Sequence, residues 1–265
     1  RVLNLSIQTE IDLACPAVLQ QAVDGARRRG AVVIAAAGNA AKSALKSVPA
    51  NCDGVITVAA VDRDGRRTSY TNTGRAVDIA APGGSGADGT VSSYVWSTWN
   101  AGTRSPGEPT WVGMYGTSQA APSVAGAAAL LAGMGLQGQA LEKALLSSVS
   151  QFPAYASGRC STRMCGAGVL DLRKVLVPLG AAKIAGTGAV GQTLTASVPT
   201  GFTGKVTGHR YRWYRNGTAI AGATGRTYRV VAADRGARLT VTVTPRSTGS
   251  FYARSTSSGG VLVAR

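Results

Sequence analysis

The chain has 265 residues, with 28 Lys and Arg against 12 Asp and Glu, a formal charge of +16, one histidine and four cysteines. Hydrophobic residues make up 45%, which excludes a charge-solvated disordered chain, and no apolar run reaches the roughly 18 residues that cross a bilayer. At about 150 residues per domain, the length allows one or two domains with proper cores.

Taken in chain order, RVLNLS (Arg1 to Ser6) reads as a buried strand and lacks the basic and apolar regions of a signal peptide. Pro16 opens a helical pattern with Val18, Leu19, Ala22, Val23 and Ala26 on one face, and Gly30 stops it. Arg27, Arg28 and Arg29 fall in its last turn, where cations meet the negative end of the helix dipole; a solvated helix end is favoured over a nucleic-acid contact. Ala31 to Ala37 (AVVIAAA) is a continuous apolar run of the kind found in strands covered on both faces. Val55 to Val61 and Ala76 to Ala81 repeat that texture. Strand, helix, strand, strand with short Gly-rich links predicts an α/β domain with a mostly parallel sheet flanked by helices, whose ligand sites lie at the carboxyl ends of strands.

Two segments fall at such ends. In Ala35-Ala36-Ala37-Gly38-Asn39 the asparagine either aims its side-chain amide into a cleft or closes an ordinary Gly-Asn turn. In Tyr115-Gly116-Thr117-Ser118-Gln119, a glycine precedes a small-residue helix, so Ser118 is presented at a helix N-terminus. Unpaired backbone N–H groups there suit a developing oxyanion. Ser118 is then a nucleophile or simply a helix cap.

The whole string GTSQAAPSVAGAAALL resembles the nucleophile signature of the subtilisin-like (S8) serine proteases, G-T-S-M-A-x-P-H-V-A-G. RVLNLS, VVIAAAGN, SVPANCDGVITVAAVDRDG and AVDIAAPGG are similar to further motifs of that family, in order, over roughly residues 1–178. The resemblance implies that Ser118 is the acyl-enzyme nucleophile and that Asn39 donates its amide to the oxyanion beside the Ser118 N–H. It also implies that Ala36, Ala37 and Gly38, with Thr117 beside the nucleophile, line the substrate pocket, while Ser6 and Ile7 form the edge that pairs with substrate backbone. Ile7-Gln8-Thr9 departs from the family's Leu-Gly-Gly, so Gln8 would narrow the cleft or alter the preferred side chain. Gln119 and Ser123 replace the usual Met and His at positions that carry no chemistry.

Acyl transfer by serine needs a base and an orienting carboxylate. The family's D-[ST]-G and H-G-T-H-V-A-G motifs precede the strand matched by RVLNLS, and neither occurs here. His209 lies far downstream in an alternating strand. The expectation is therefore a C-terminal portion of a subtilisin-like domain, its N-terminal part missing, inactive by itself. A base-less, non-catalytic adhesion or binding protein on a degenerate protease scaffold is the alternative.

Four cysteines allow three pairings. Cys160 and Cys165 close a small loop; secreted relatives imply Cys15 with Cys52. Zinc is disfavoured, with one close pair and no nearby histidine. Disulfides imply an oxidising compartment, hence a secreted, extracellular bacterial protein. No cofactor is required; calcium is common in the family, but no acidic cluster locates a site, and Asp62 and Asp64 read as a turn.

Residues 1–178 hold 16 basic and 11 acidic residues, residues 179–265 hold 12 and one. With a small-residue, Gly-rich break near 178–190, this predicts a second domain over 179–265. Alternating runs at Gln192 to Val198, His209 to Arg215, Arg226 to Val231, Arg238 to Thr244 and Gly260 to Ala264, with an Asn216-Gly217 hairpin turn, predict an all-β sandwich. The segments resemble the Ig-like repeats of bacterial secreted enzymes, with Trp213 in the core. Arg210, Arg212 and Arg215 around Tyr211 suit a polyanionic or cell-surface ligand; no nucleic-acid signature accompanies them. Protein or peptide substrates are the expected partners of the first domain.

Overall fold

Apolar runs that cannot face water on either side become the inner strands of a parallel sheet. The computed structural model describes residues 1–9, 11–86, 89–154, 158–176, 178, 180–198, 201–202, 206–247, 252–253 and 255–264. Its contacts divide the chain into two units, Arg1–Asp171 and Leu172–Arg265; Leu179, the expected start of the second domain, lies outside the described residues.

The first unit runs β1 (Val2–Leu5), α1 (Ala17–Arg28), β2 (Val32–Ala36), β3 (Val55–Val61), β4 (Ile79–Pro82), β5 (Val95–Asn100), β6 (Pro109–Met114), α2 (Thr117–Gly133), α3 (Gly138–Ser147), β7 (Val149–Ser150), α4 (Thr162–Cys165) and β8 (Val169–Leu170). β1, β2, β3, β4, β8 and β7 lie side by side in that order, parallel throughout except for the β8–β7 pair. Every residue of β2 and β3 is buried, as two-faced coverage demands. From α1, Val23 and Ala26 pack on Val33 and Ala35 of β2. Helix α2 lies against β1, β2, β3 and β4, and its buried Ala120, Ala121, Ala127 and Ala128 let its backbone approach the sheet closely.

The strand expected at Ala76 begins only at Ile79. Val77 is still in a turn, its N–H bonded to Gly74 O, and the Asp78 carboxylate accepts the Thr57 N–H at 2.8 Å. Burial pushes that carboxyl above its ordinary range, against the pull of the Thr57 N–H. Cys15 is bridged to Cys52 and Cys160 to Cys165, with Cα separations of 5.1 and 5.7 Å. The first ties the entry of α1 to the loop before β3, and the second packs against Val77 and Ala80. Asp62 Oδ1 accepts the N–H groups of Asp64 and Arg66, closing the turn after β3.

The second unit runs β9 (Val175–Leu176), β10 (Lys183–Ala185), β11 (Thr193–Ser197), β12 (Gly208–Arg215), β13 (Thr218–Ala219), β14 (Thr227–Arg229), β15 (Arg238–Arg246), β16 (Tyr252–Ala253), β17 (Thr256–Ser257) and β18 (Val261–Leu262). One antiparallel sheet has the order β10-β11-β14 and another β13-β12-β15-β17, with β18 also on β15. Leu194 and Ala196 of the first share a core with Trp213, Leu239, Val241 and Val243 of the second. Asn216 takes a positive φ of 46° in the β12–β13 turn. Strand alternation corrects one expectation. Arg210 and Arg212 are exposed on β12, but Arg215 is an odd step away, on the face that carries Tyr211 and Trp213. There it bonds the buried Asp234 at 2.6 Å.

Candidate active site

Helix α2 begins directly after a glycine, at a backbone conformation that other residues rarely adopt. Gly116 has φ 149°, and a Cβ on it would meet Gln119 Oε1 at 3.0 Å. Ser118 is the second residue of the helix, half-buried, and does not cap it; the N-cap is Gly116, which has no side chain to do so. Ser118 Oγ instead donates to Ser6 O at 3.4 Å, its one hydrogen bond among the described residues.

The reverse contact has a cause in the helix itself. Pro122 has no N–H to give the carbonyl four residues back, so Ser118 O is left open in the helical ladder. The Ser6 hydroxyl takes that place, donating to Ser118 O at 3.0 Å. The end of β1 is thereby held against the first turn of α2.

Asn39, exposed after the carboxyl end of β2, is oriented by Thr117. Its Oδ1 accepts both the Thr117 N–H at 2.9 Å and the Thr117 hydroxyl at 2.8 Å. Thr117 Oγ1, fully buried, in turn accepts the Gly38 N–H at 3.1 Å. An amide whose oxygen is fixed in this way turns its Nδ2 the other way. Neither Nδ2 nor the Ser118 N–H has an acceptor among the described residues. Ala36 and Ala37 are buried, Gly38 is buried with φ 104°, and Ile7 is 62% exposed. Ser6, Asn39, Thr117 and Ser118 are thus brought together by hydrogen bonds, with Ile7 and the Ala36–Gly38 segment adjoining them in sequence.

Residues missed in the sequence reading complete the surroundings. Strands β5 and β6 form a hairpin whose Trp96, Trp99 and Trp111 are 48, 54 and 68% exposed. With Met114, Gln119 and Ser118 it lines a cleft of about 440 Å³. The signal was present as V-W-S-T-W-N and P-T-W-V-G-M about a Gly/Ser/Pro-rich turn. Tyr70, its ring tilted against that of Tyr115 with centroids 5.5 Å apart, donates to the carbonyls of Gly83 and Gly84. Burial pushes its phenol up to about 12. His209 is exposed, with Phe202 and Tyr211 as its ring neighbours. Among the described residues no three His, Cys, Asp or Glu side chains are grouped as metal ligands, and no helix is long and apolar enough to cross a membrane.

The model of the subtilase family (peptidase S8) matches residues 1–168. An extracellular protease of Xanthomonas campestris pv. campestris is 38% identical over 161 residues, 60% of this chain and 25% of that protein. Thermitase of Thermoactinomyces vulgaris is 35% identical over 145 residues, 53% of this chain and 46% of the relative. Among solved structures, a protease of Pseudoalteromonas arctica superimposes with a TM-score of 0.58 and 37% identity, covering 64% of this chain and 48% of that one. The chain therefore spans between a quarter and about half the length of these relatives. With the family model covering most of it, and the serine, the asparagine and the parallel sheet arranged as described, the chain belongs to the subtilase family.

Proposed function

We propose that this chain carries the nucleophile and oxyanion donors of a secreted serine endopeptidase. Ser118 Oγ would attack the scissile carbonyl carbon, forming an acyl-enzyme and releasing the amine; water would then release the acid. The observation that supports this reading is the placement of Ser118 on the first turn of α2, with two donors without acceptors, its own N–H and Asn39 Nδ2, set about the Thr117–Ser118 peptide. Such donors stabilise charge only where it develops. In this reading Ser6 and Ile7 pair with substrate backbone, and Ala36, Ala37 and Gly38 wall the pocket for the side chain on the acyl side. The chemistry requires no cofactor.

The nucleophile also requires a base. The one histidine of the 265 residues sits on β12 of the second unit, so we expect these residues alone to show no turnover. Two disulfides and the extracellular relatives support a secreted protein. The second unit reads as an Ig-like accessory domain, with exposed Arg210 and Arg212 suited to a polyanionic surface.

The test is labelling by a serine-directed fluorophosphonate of the protein expressed from its complete reading frame. Labelling that Ser118→Ala abolishes is the expected result. Labelling that persists in Ser118→Ala would place the reactive serine elsewhere and overturn the role given to Ser118; none in the parent would leave a non-catalytic binding protein on this scaffold. Peptidase activity from the 265 residues alone would contradict the expected inactivity.

A further inference from the structure

Gln8 stands at the substrate edge where the family's motif has glycine, and its side chain turns inward. Oε1 accepts the Asn39 N–H at 2.6 Å. It also lies against Gly38 so closely that a Cβ built there would meet it at 2.4 Å. The same Cβ would meet Asn72 Nδ2 at 2.4 Å and Ser47 Oγ at 3.0 Å. The carboxamide of Gln8 therefore occupies the gap between residues 6–8 and the end of β2. That gap is the one the proposed function gives to the substrate side chain on the acyl side.

The three polar groups around Gly38 differ in how they are held. Asn72 is fixed and buried: Nδ2 donates to Ala37 O at 2.9 Å, and Oδ1 accepts the N–H groups of Ala40 and Lys42 at 3.1 and 3.0 Å. Ser47 is 1% exposed, and its Oγ has no partner among the described residues. Gln8 is exposed and, among the described residues, attached at its tip by a single hydrogen bond to Asn39. Of the three, Gln8 alone is exposed, so it alone can swing out of the gap into solvent, and it does so without breaking a buried network.

We propose that Gln8 is a specificity-determining gate that restricts the side chain before the scissile bond to short ones, such as those of Gly, Ala and Ser. A longer apolar side chain must displace the carboxamide from Asn39. It must then lie near an unpaired buried hydroxyl, an unfavourable neighbour for hydrocarbon. The cost of losing one neutral hydrogen bond corresponds to a discrimination of about tenfold. Because the gate faces solvent, it biases the choice and does not block the cleft.

The inference rests on the serine-peptidase reading, and the experiment separates the two. Protein from the complete reading frame is first labelled with fluorophosphonate. It is then compared with Gln8→Ala and Gln8→Gly on peptides differing only in the residue before the scissile bond. The expected result is that kcat/KM for Leu or Phe relative to Ala rises about tenfold in either variant, through KM more than kcat. A labelled, active parent whose relative preference is the same in both folded variants, or which already prefers Leu or Phe, would overturn the gate alone. A parent that is neither labelled nor active would overturn the peptidase reading, and the gate with it.

Discussion

Thr117 shows how much of the site hangs on one hydroxyl. It is fully buried, donates to Asn39 Oδ1 and accepts from Gly38 N–H. Thr117→Val keeps the shape but leaves the Gly38 N–H without its acceptor and the Asn39 oxygen with the Thr117 N–H alone. The expected loss is about 1–3 kcal/mol, read as a lower urea midpoint at constant slope, and Thr117→Ser should recover most of it. Tyr70 makes a separate statement about pH. Its phenol is pushed from 10.0 up to about 12 by burial, so the folded state holds the proton more tightly than the unfolded chain. The resulting stability is present in full below pH 10 and is lost as pH rises from 10 through 12. Tyr228 is also shifted upward, by burial and by Asp234, so ultraviolet titration should show a late-ionising component of which Tyr70→Phe removes a part; an unchanged titration would contradict the assignment.

At the scale of elements, the junction of β1 with α2 rests on a defect in the helix. Because Pro122 leaves Ser118 O without its helical donor, Ser6 Oγ is the substitute. Ser6→Ala should therefore cost about 1 kcal/mol in the parent and much less in Pro122→Ala, where a helical N–H becomes available. A double-mutant cycle in chemical denaturation measures that coupling, and strict additivity would refute it. The elements themselves were legible to different degrees. The runs at Val32 and Val55 could be read because burial on both faces requires unbroken hydrophobicity, and α1 because Pro16 and Gly30 bound it. The nucleophile segment could be read because glycine, serine and small helical residues serve one geometry. The strand at Ile79 was placed too early, since a turn can be as apolar as a strand. Strands β7, β8 and β13 have two residues each and can carry no period. The position of Gln8 was visible, but the inward turn of its side chain depends on Asn39 N–H, which only the assembled sheet brings near.

For the whole molecule, the two units should respond differently to acid. In the second, Asp234 is completely buried in the core-side network of β12. Burial alone would raise its carboxyl, but the Val231 N–H, Arg215 and the Tyr228 hydroxyl together hold it below the ordinary value. Its contribution is thus present above the usual carboxylate range and is lost as pH falls through the depressed value. Asp234→Asn should destabilise this unit, since the Val231 N–H, the Tyr228 hydroxyl and Arg215 lose the anion they share. Trp213 is the one tryptophan of the second unit, fully buried and stacked on Tyr228 at 5.5 Å. Its shielded fluorescence reports that unit, while the exposed Trp96, Trp99 and Trp111 report the first. Acid unfolding of the shielded signal at higher pH in Asp234→Asn than in the parent is the expected result.

The pairing of β4 with β8 sets the order in which the first unit can be completed. Ala80 of β4 lies beside Val169 of β8, so that edge of the sheet stays open until the intervening hairpin, α2 and α3 have been made. On the ribosome, four strands would emerge and align while the strip that covers their border is still being synthesised. A contact of such long sequence separation forms slowly because loop closure must precede its reward. During that interval β4 presents an apolar, unpaired border to other nascent chains. Aggregation during synthesis should therefore be governed less by the stability of the finished sheet than by how soon residues 169–170 arrive.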